Sequence, residues 1–188
     1  MFLLLLRGSI FILLILISGC DFKQNIEQTK GRYSIAECKK STNIFSKNID
    51  RVIVDKSKRE MICYSGDDEV YKFKISLSKV KGKKIKSGDH KVPEGIYKIT
   101  RRRCHRKYYK MINISYPNRR DREEAKNRGV KVGGGITVHG QLFWNSNGDG
   151  DDYTLSKDWT NGCIALRNSD LDKFWSSVKR GTTIEIKP

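Results

Sequence analysis

The sequence predicts a mainly β domain with one or two short helices, and three observations support this fold class. From Ile49 onward, runs of β-branched and aromatic residues alternate with turn signals. Later runs of the same kind are bounded by glycine or proline, as in "GGGITVHG" and "MINISYP". Only two segments have helical end signals, so the predicted strands outnumber the predicted helices.

The strands follow one another along the chain. The segment "DRVIVDKSKREMICYSGDDEVYKFKISLS" contains three strand-like runs separated by "DKSK" and "SGDD", which predicts a meander. A loop with Pro93 and Gly95 leads into "IYKIT", a further strand. Two more strands end at Pro117 and His139, and "TTIEIK" is the closing strand.

Two segments have the end signals of helices. The charged segment "NRRDREEAKNRG" begins with asparagine and ends at glycine, which predicts a short solvent-exposed helix. In "RNSDLDKFWSSVKRG", Asn168 or Ser169 is the expected N-cap, and Lys179 and Arg180 are expected in the last turn. The apolar residues of this second helix fall on one face: Leu171, Phe174, Trp175 and Val178.

Composition and charge narrow the possible partners. The 188 residues are 37% hydrophobic, which is enough for one medium domain with a core plus a short appendage. Lys and Arg number 38 against 21 Asp and Glu, so the formal net charge is +17. Such an excess attracts polyanions, namely nucleic acid, anionic lipid or an acidic wall polymer. The compartment of the protein decides among these partners.

The N-terminus predicts export. "MFLLLLRGSIFILLILISGC" contains one charge, Arg7, then a short apolar core and small residues before Cys20. "ISGC" resembles a bacterial lipobox, which implies a signal peptide over 1–19, a lipid on Cys20 and a membrane-anchored location on the periplasmic side of the cell envelope. An uncleaved membrane anchor is the alternative. Either interpretation places the remaining chain outside the cytoplasm, so we expect no nucleic-acid partner.

A polar segment separates the N-terminus from the predicted domain. Residues 20–48 are rich in Lys, Asn, Gln and Thr, which predicts a tether, and a folded extension around "YSIAEC" is the alternative. Residues 49–188 then form the domain, which we expect to be monomeric.

Five cysteines have different expected roles. Cys20 is the predicted lipidation site, and Cys63 lies in an apolar strand, where thiols are usually inert. Cys38 and Cys104 could pair in an oxidising compartment, but their spacing does not decide this. Cys163 is left. The three histidines show no metal-ligand spacing, so we expect neither a metal nor a cofactor.

Cys163 is a candidate nucleophile. A thiol is only partly ionised at neutral pH and needs a base, and His139 at a strand end before Gly140 is a candidate. Gly162 allows the backbone to approach closely and to aim amides at an oxyanion. From these residues alone, a thiol enzyme and a non-catalytic basic lipoprotein that binds the wall both remain open.

A resemblance to a known family favours the enzyme. "ITVHG", "WTNGCIAL", the capped helix and "GTTIEI" resemble the L,D-transpeptidase (YkuD-type) catalytic domain, whose signature is His-Gly followed at a distance by Ser/Thr-x-Gly-Cys. "IDRVIVDKSKREMICYSG" and "SGDHKVPEGIYKI" extend the resemblance upstream, over residues 49–188. It implies a β-sandwich or barrel-like domain that acts on peptidoglycan stem peptides without a cofactor.

The resemblance also implies roles for individual residues. Cys163 would attack the carbonyl before the terminal D-Ala of a tetrapeptide stem, and His139 would serve as base and then as acid, oriented by the Gly140 carbonyl. Amides near Gly162 and Cys163 would hold the oxyanion. Thr160 would brace the turn, in which Asn161 also lies.

The substrate contacts are predicted less directly. Many family members have Arg where this chain has Ala165, and Arg167 is the candidate substitute. Trp144 and Trp159 are candidates for a substrate-facing wall, and the insert "QLFWNSNGDGDDYTLSKD" is expected to form a lip over the cleft. The thioester would pass to an amine, giving 3→3 cross-links or attachment to the wall. Passage to water, giving an L,D-carboxypeptidase or a wall-protein-releasing hydrolase, is the alternative.

Overall fold

A computed structural model describes residues 33–40, 47–145 and 150–188. The strands are β1 (Ile49–Asp55), β2 (Glu60–Ser65), β3 (Asp68–Lys74), β4 (Gly95–His105), β5 (Tyr109–Ile114), β6 (Thr137–His139), β7 (Ile164–Ala165) and β8 (Val178–Lys187). The helices are α1 (Ile35–Lys40), α2 (Arg119–Asn127), α3 (Gly150–Ser156) and α4 (Asn168–Ser177), and a 3₁₀ turn spans Phe143–Asn145. The predicted signal peptide and Cys20 lie outside the described residues.

The strands form one curled eight-stranded sheet in the order β3-β2-β1-β8-β4-β5-β6-β7, which confirms the mainly β fold. The first three strands are the predicted antiparallel meander. The closing strand β8 returns to the middle of the sheet, parallel to β1 and antiparallel to β4. At the end of this order, β6 and β7 are parallel to each other. The two predicted helices are present as α2 and α4, and the described residues add α1 and α3.

The core lies beneath the central strands and α4. Val52 and Val54 of β1 stand opposite Ile184 and Ile186 of β8, and all four are buried. The face of α4 that was predicted to be apolar packs here through Leu171 and Phe174, together with Trp175. Each such side chain contributes roughly 1.5–3 kcal/mol when it leaves water.

Helix α2 begins where its sequence predicts. The Asn118 side chain accepts a hydrogen bond from the Asp121 amide at 3.0 Å, and the Asp121 carboxylate accepts one from the Asn118 amide at 2.9 Å. These reciprocal bonds satisfy two donors that a helix start leaves free. The Tyr97 hydroxyl also donates to Asp121, at 3.1 Å, so the cap joins the helix to β4.

Helix α4 differs from its prediction at both ends. Its N-cap is Arg167, because the Asn168 side chain accepts from the Gln141 amide at 3.0 Å instead of capping the helix. The helix ends at Ser177, so Lys179 and Arg180 lie in β8 and not in a last helical turn. The reason is that Val178 is buried in the core and pairs with Ile49 of β1.

The segment before the domain is folded where it is described. Cys38 of α1 forms a disulfide with Cys104 of β4. The Tyr33 amide donates to the Arg106 carbonyl at 2.8 Å, and the Tyr33 ring lies 5.2 Å from the Tyr109 ring. Residues 33–40 of the predicted tether are therefore attached to the hairpin of β4 and β5, as in the alternative interpretation. None of the helices in the described ranges is long and apolar enough to cross a membrane.

Candidate active site

The parallel pair β6 and β7 brings the two candidate catalytic residues to one cavity. Val138 pairs with Ile164 and His139 with Ala165, so Cys163 directly precedes the strand that lies beside the histidine. The Leu166 amide donates to the His139 carbonyl at 2.9 Å. Both candidate side chains line a cavity of about 440 Å³.

The sulfur of Cys163 is a free, half-buried thiol. The Thr137 hydroxyl donates to the sulfur at 3.5 Å, and the sulfur lies 3.9 Å from the Gly135 carbonyl oxygen. Cys63, the other free thiol among the described residues, is fully buried, and its burial raises the pKa of that thiol. Of the two, only Cys163 is placed to meet a ligand.

His139 is buried and its tautomer is fixed. The ring nitrogen Nδ1 lies 2.8 Å from the Gly140 carbonyl oxygen. A carbonyl only accepts, so Nδ1 carries the proton and Nε2 holds the free lone pair of the neutral ring. Burial lowers the pKa of His139 to about 4, although the hydrogen bond to Gly140 acts in the opposite direction. The imidazole is therefore neutral at pH 7, which is the form a base needs.

Aromatic rings hold the imidazole from two sides. The Tyr108 ring lies 4.6 Å from the His139 ring and the Trp159 ring lies 5.5 Å from it, both between centroids. The Gly140 amide donates to the carbonyls of Tyr108 at 3.1 Å and Lys110 at 3.2 Å. These contacts fix the ring's position, so the β4–β5 hairpin is part of the site. Tyr108 was not predicted as a site residue, because no spacing pattern in the sequence links the hairpin to His139.

Thr160 organises the turn before the cysteine. Its hydroxyl accepts from the Cys163 amide at 3.1 Å and from the Gly162 amide at 3.4 Å, and it donates to the Cys163 carbonyl at 2.7 Å. The bracing role expected for Thr160 fits this geometry. The two amides expected to be free for an oxyanion instead contact this hydroxyl, which differs from the sequence prediction.

Glycine is required at position 162. Its φ is +109°, and a Cβ atom there would lie 2.8 Å from the Lys91 carbonyl oxygen. The Lys91 loop is in turn held by Asp89, which accepts from the Lys84 ammonium at 2.6 Å and from backbone amides. Burial alone would raise the pKa of Asp89, but these hydrogen bonds lower it to about 2.

Two polar side chains outside the predicted site also hold it in place. Asp158 pairs with Arg59 at 2.6 Å and accepts from the Leu77 amide at 2.9 Å, while the Leu77 carbonyl accepts from the Thr160 amide at 3.0 Å. On the other side, two reciprocal hydrogen bonds join Gln141 and Asn168. The Asn168 amide donates to the Gln141 side chain at 2.9 Å, and the Gln141 amide donates to the Asn168 side chain at 3.0 Å. The sequence predicted neither support, because the partners are far apart along the chain.

The predicted substrate-binding residues divide into two groups. Trp144 and Trp159 line the cavity with Cys163, as does Asn161 of the predicted turn. Trp144 is 53% exposed, with its ring 4.9 Å from that of Tyr153. The described part of the insert thus forms one wall of the cavity. Arg167 lines a separate cavity and pairs with Asp170 at 2.8 Å, so the structure does not bring it to the cysteine.

No group of three or more His, Cys, Asp or Glu side chains in the described ranges is placed to hold a metal ion. Cys163 and His139 bring a half-buried thiol and a neutral imidazole of fixed tautomer to the same cavity.

The chain is similar to solved structures of two bacterial proteins. A point mutant of the helical cell shape determining protein Pgp2 from Campylobacter jejuni is 25% identical, with a TM-score of 0.54, and the match covers 78% of this chain and 49% of that chain. Bd1075 from Bdellovibrio bacteriovorus is 26% identical, with a TM-score of 0.51, and the match covers 76% of this chain and 48% of that one. The chain thus spans about half the length of these relatives.

An L,D-transpeptidase from Xylanimonas cellulosilytica shares the fold at 15% identity, with a TM-score of 0.51, and the match covers 78% of this chain and 63% of that one. No curated protein matches the chain. The family model "L,D-transpeptidase catalytic domain" (YkuD) matches residues 49–186. Since that range is well over half of the 188 residues, the chain belongs to the L,D-transpeptidase catalytic domain family.

Proposed function

We propose that the protein is a cysteine acyltransferase of the bacterial envelope that acts on tetrapeptide stems of peptidoglycan. The observation that carries this proposal is the free thiol of Cys163 in one cavity with the neutral imidazole of His139. Family membership supports the substrate class. The likeness to a helical cell shape determining protein supports a role in wall architecture.

In the proposed reaction, Nε2 of His139 takes the proton of the Cys163 thiol. The sulfur attacks the carbonyl that precedes the terminal D-Ala, a carbon–sulfur bond forms and the carbon–nitrogen bond to D-Ala breaks. The imidazolium returns its proton to the leaving amine, which leaves a thioester on the sulfur. The low pKa of His139 makes the imidazolium a strong acid, and the Gly140 carbonyl stabilises it through the Nδ1 proton.

The second half-reaction regenerates the thiol. An acceptor amine attacks the thioester, His139 takes a proton from that amine and then returns it to the sulfur. The product is a 3→3 cross-link or a wall attachment. Water as the acceptor gives an L,D-carboxypeptidase or a releasing hydrolase through the same intermediate, and access to the cavity decides between the two outcomes.

We also propose that the chain is exported and anchored by a lipid on Cys20. The disulfide between Cys38 and Cys104 supports an oxidising compartment, because such bonds persist outside the reducing cytosol. The net charge of +17 would hold the protein near anionic lipid and wall polymers.

The test is digestion of tetrapeptide muropeptides by the purified protein, with Cys163→Ala as the variant and Cys63→Ala as the matched control thiol. Wild type should form a thioester, seen as added mass at Cys163, and release D-Ala. Cys163→Ala should lower turnover by at least about 10³-fold. Cys63→Ala should keep the turnover of each folded molecule, because that thiol is buried away from the cavity.

The products separate the candidate reactions. A new 3→3 dimer indicates transfer, whereas conversion of tetrapeptide to tripeptide alone indicates hydrolysis. Full turnover by Cys163→Ala would contradict the thioester mechanism. Wild-type protein that binds sacculi but changes no muropeptide would indicate the non-catalytic lipoprotein.

A further inference from the structure

The cavity beside the candidate nucleophile has a single charged lining side chain among the described residues, that of Lys107. The other lining side chains are aromatic, aliphatic or neutral polar groups, and His139 is neutral. A peptidoglycan stem carries several carboxylates. A cavity that binds such a peptide needs a positive group to offset the loss of carboxylate hydration.

The backbone of Lys107 is held in place. Its carbonyl accepts from the Phe143 amide at 3.2 Å, and its own amide donates to Nδ1 of His105 at 3.2 Å. Three residues earlier, Cys104 is joined to Cys38 by the disulfide. The Lys107 ammonium lies 5.3 Å from the centre of the Tyr108 ring, which packs on His139. The backbone is therefore fixed, and the exposed side chain places its ammonium beside the ring that packs on the proposed base.

Among the described residues, none neutralises the charge of Lys107. No carboxylate in the described part of the chain forms an ion pair with it, and its neighbours Arg103 and Arg106 are also cationic. Burial lowers the pKa of His105, and the positive charges of Arg103 and Lys107 lower it further. This part of the cavity rim therefore has a positive potential that attracts an anion.

The two other positions considered for a cation do not supply one. Position 165 is a buried alanine, and Arg167 pairs with Asp170 at a different cavity. We propose that Lys107 binds a carboxylate of the acyl-donor peptide and thereby determines the preference of this site for anionic stems. This inference rests on the proposed function and adds a specificity-determining residue to it.

The first experiment measures the anion preference at the sulfur without any turnover. Iodoacetate and iodoacetamide alkylate the same thiol by displacing iodide, and they differ mainly in charge. The rate of each reaction at Cys163 is followed by peptide mass. Lys107→Gln should lower the iodoacetate-to-iodoacetamide rate ratio by about 3–10-fold, as expected for one charge within several ångströms in a partly hydrated cavity.

The matched control is Arg106→Gln, which removes an exposed cation from the same hairpin outside the cavity lining. It should change the ratio by less than about twofold, because that guanidinium does not line the cavity and the intervening solvent and salt screen its charge. An equal ratio in wild type and Lys107→Gln would overturn the proposal whether or not the protein acts on peptidoglycan.

The second experiment uses tetrapeptides amidated at one carboxylate at a time. Lys107→Gln should raise KM for the fully ionised peptide by about tenfold with a small change in kcat, and Lys107→Arg should restore most of the loss. One amidated peptide should show no difference between wild type and Lys107→Gln, which identifies the bound carboxylate. An equal loss with every peptide would overturn the proposal. Wild-type protein that turns over none of them would contradict the proposed function, and the alkylation ratio would still decide the role of Lys107.

Discussion

The middle of the sheet and its β6–β7 end are built differently. In the middle, β1 and β8 are seven and ten residues long and pair over most of β1, with buried and exposed positions that largely alternate. At the β6–β7 end, β6 has three residues and β7 has two, and all five are buried. The long strands are held by continuous backbone pairing and apolar burial. The short strands, which carry the site, are held by side-chain hydrogen bonds from Thr160, Asp158 and Asn168.

This difference separates stability from activity. Loss of a core side chain in the long strands should lower the free energy of unfolding and leave the cavity unchanged in the molecules that remain folded. Loss of a hydrogen bond at the short strands should displace the sulfur or the imidazole at a smaller cost in stability. Each variant below tests one side of this contrast.

The largest effect on stability is expected at the long strands. Ile184 is fully buried and stands between Val52 of β1 and Tyr97 of β4. Ile184→Ala should lower the free energy of unfolding by about 2–5 kcal/mol, because it removes buried methylene groups and leaves a cavity. Urea unfolding measures this change. The rate of thioester formation in the folded fraction should stay within about twofold of wild type, and a larger fall would contradict the separation.

A second effect is that protonation of His139 makes the free energy of unfolding depend on pH. Its folded-state pKa is about 4, below the ordinary value of 6.5, so the unfolded chain binds the proton more tightly. The free energy of unfolding should therefore fall as the pH drops from about 6.5 to about 4, by on the order of 3 kcal/mol in total, and this loss should end below that range.

The measurement is urea unfolding at a series of pH values for wild type and His139→Gln. The variant should lose most of the slope in this window, because it has no group to protonate there. His105→Gln removes the half-buried histidine of the neighbouring hairpin and should keep most of the slope. An unchanged slope in His139→Gln would show that burial of this imidazole does not control acid stability.

The smallest stability change is expected at the turn before the cysteine. Thr160→Val keeps the shape of the side chain but removes the hydroxyl that contacts the amides of Gly162 and Cys163. It should lower the free energy of unfolding by about 1–3 kcal/mol, since one buried and one partly buried amide lose their partner. Thioester formation should fall about tenfold or more, because the sulfur is displaced. Thr160→Ser retains the hydroxyl and is the control. Equal thioester rates in Thr160→Val and Thr160→Ser would exclude a positioning role.

Sequence patterns predicted the long strands well and the elements near the site less well. The meander was predictable because alternating apolar residues and turn signals are local properties. The end of α4 was predicted wrongly, since Lys179 and Arg180 are good last-turn residues and nothing local shows that Val178 pairs with Ile49. Tertiary packing decided that boundary against helix propensity.

The motifs of the site were predictable from the sequence, but the residues that hold His139 and Cys163 in place were not. His139 and Cys163 stand in recognisable motifs, but only the parallel pairing of β6 and β7 brings them to one cavity. Lys107 stands in the basic run "RRRCHRK", but no local pattern shows that the hairpin brings Tyr108 and Lys107 to the cavity. Arg167 was expected near the cysteine because it follows closely in sequence, yet the start of α4 directs it to Asp170.

The disulfide makes the stability of the fold depend on the oxidation of two cysteines. Cys38 and Cys104 are separated by 66 positions, and the closed loop includes the entire β1–β3 meander. In the chain-entropy model, closing a loop of this length disfavours the unfolded chain by on the order of 4 kcal/mol. A newly made polypeptide with reduced thiols lacks this restraint, so the protein reaches its full resistance to unfolding only after an oxidant has joined the two sulfurs.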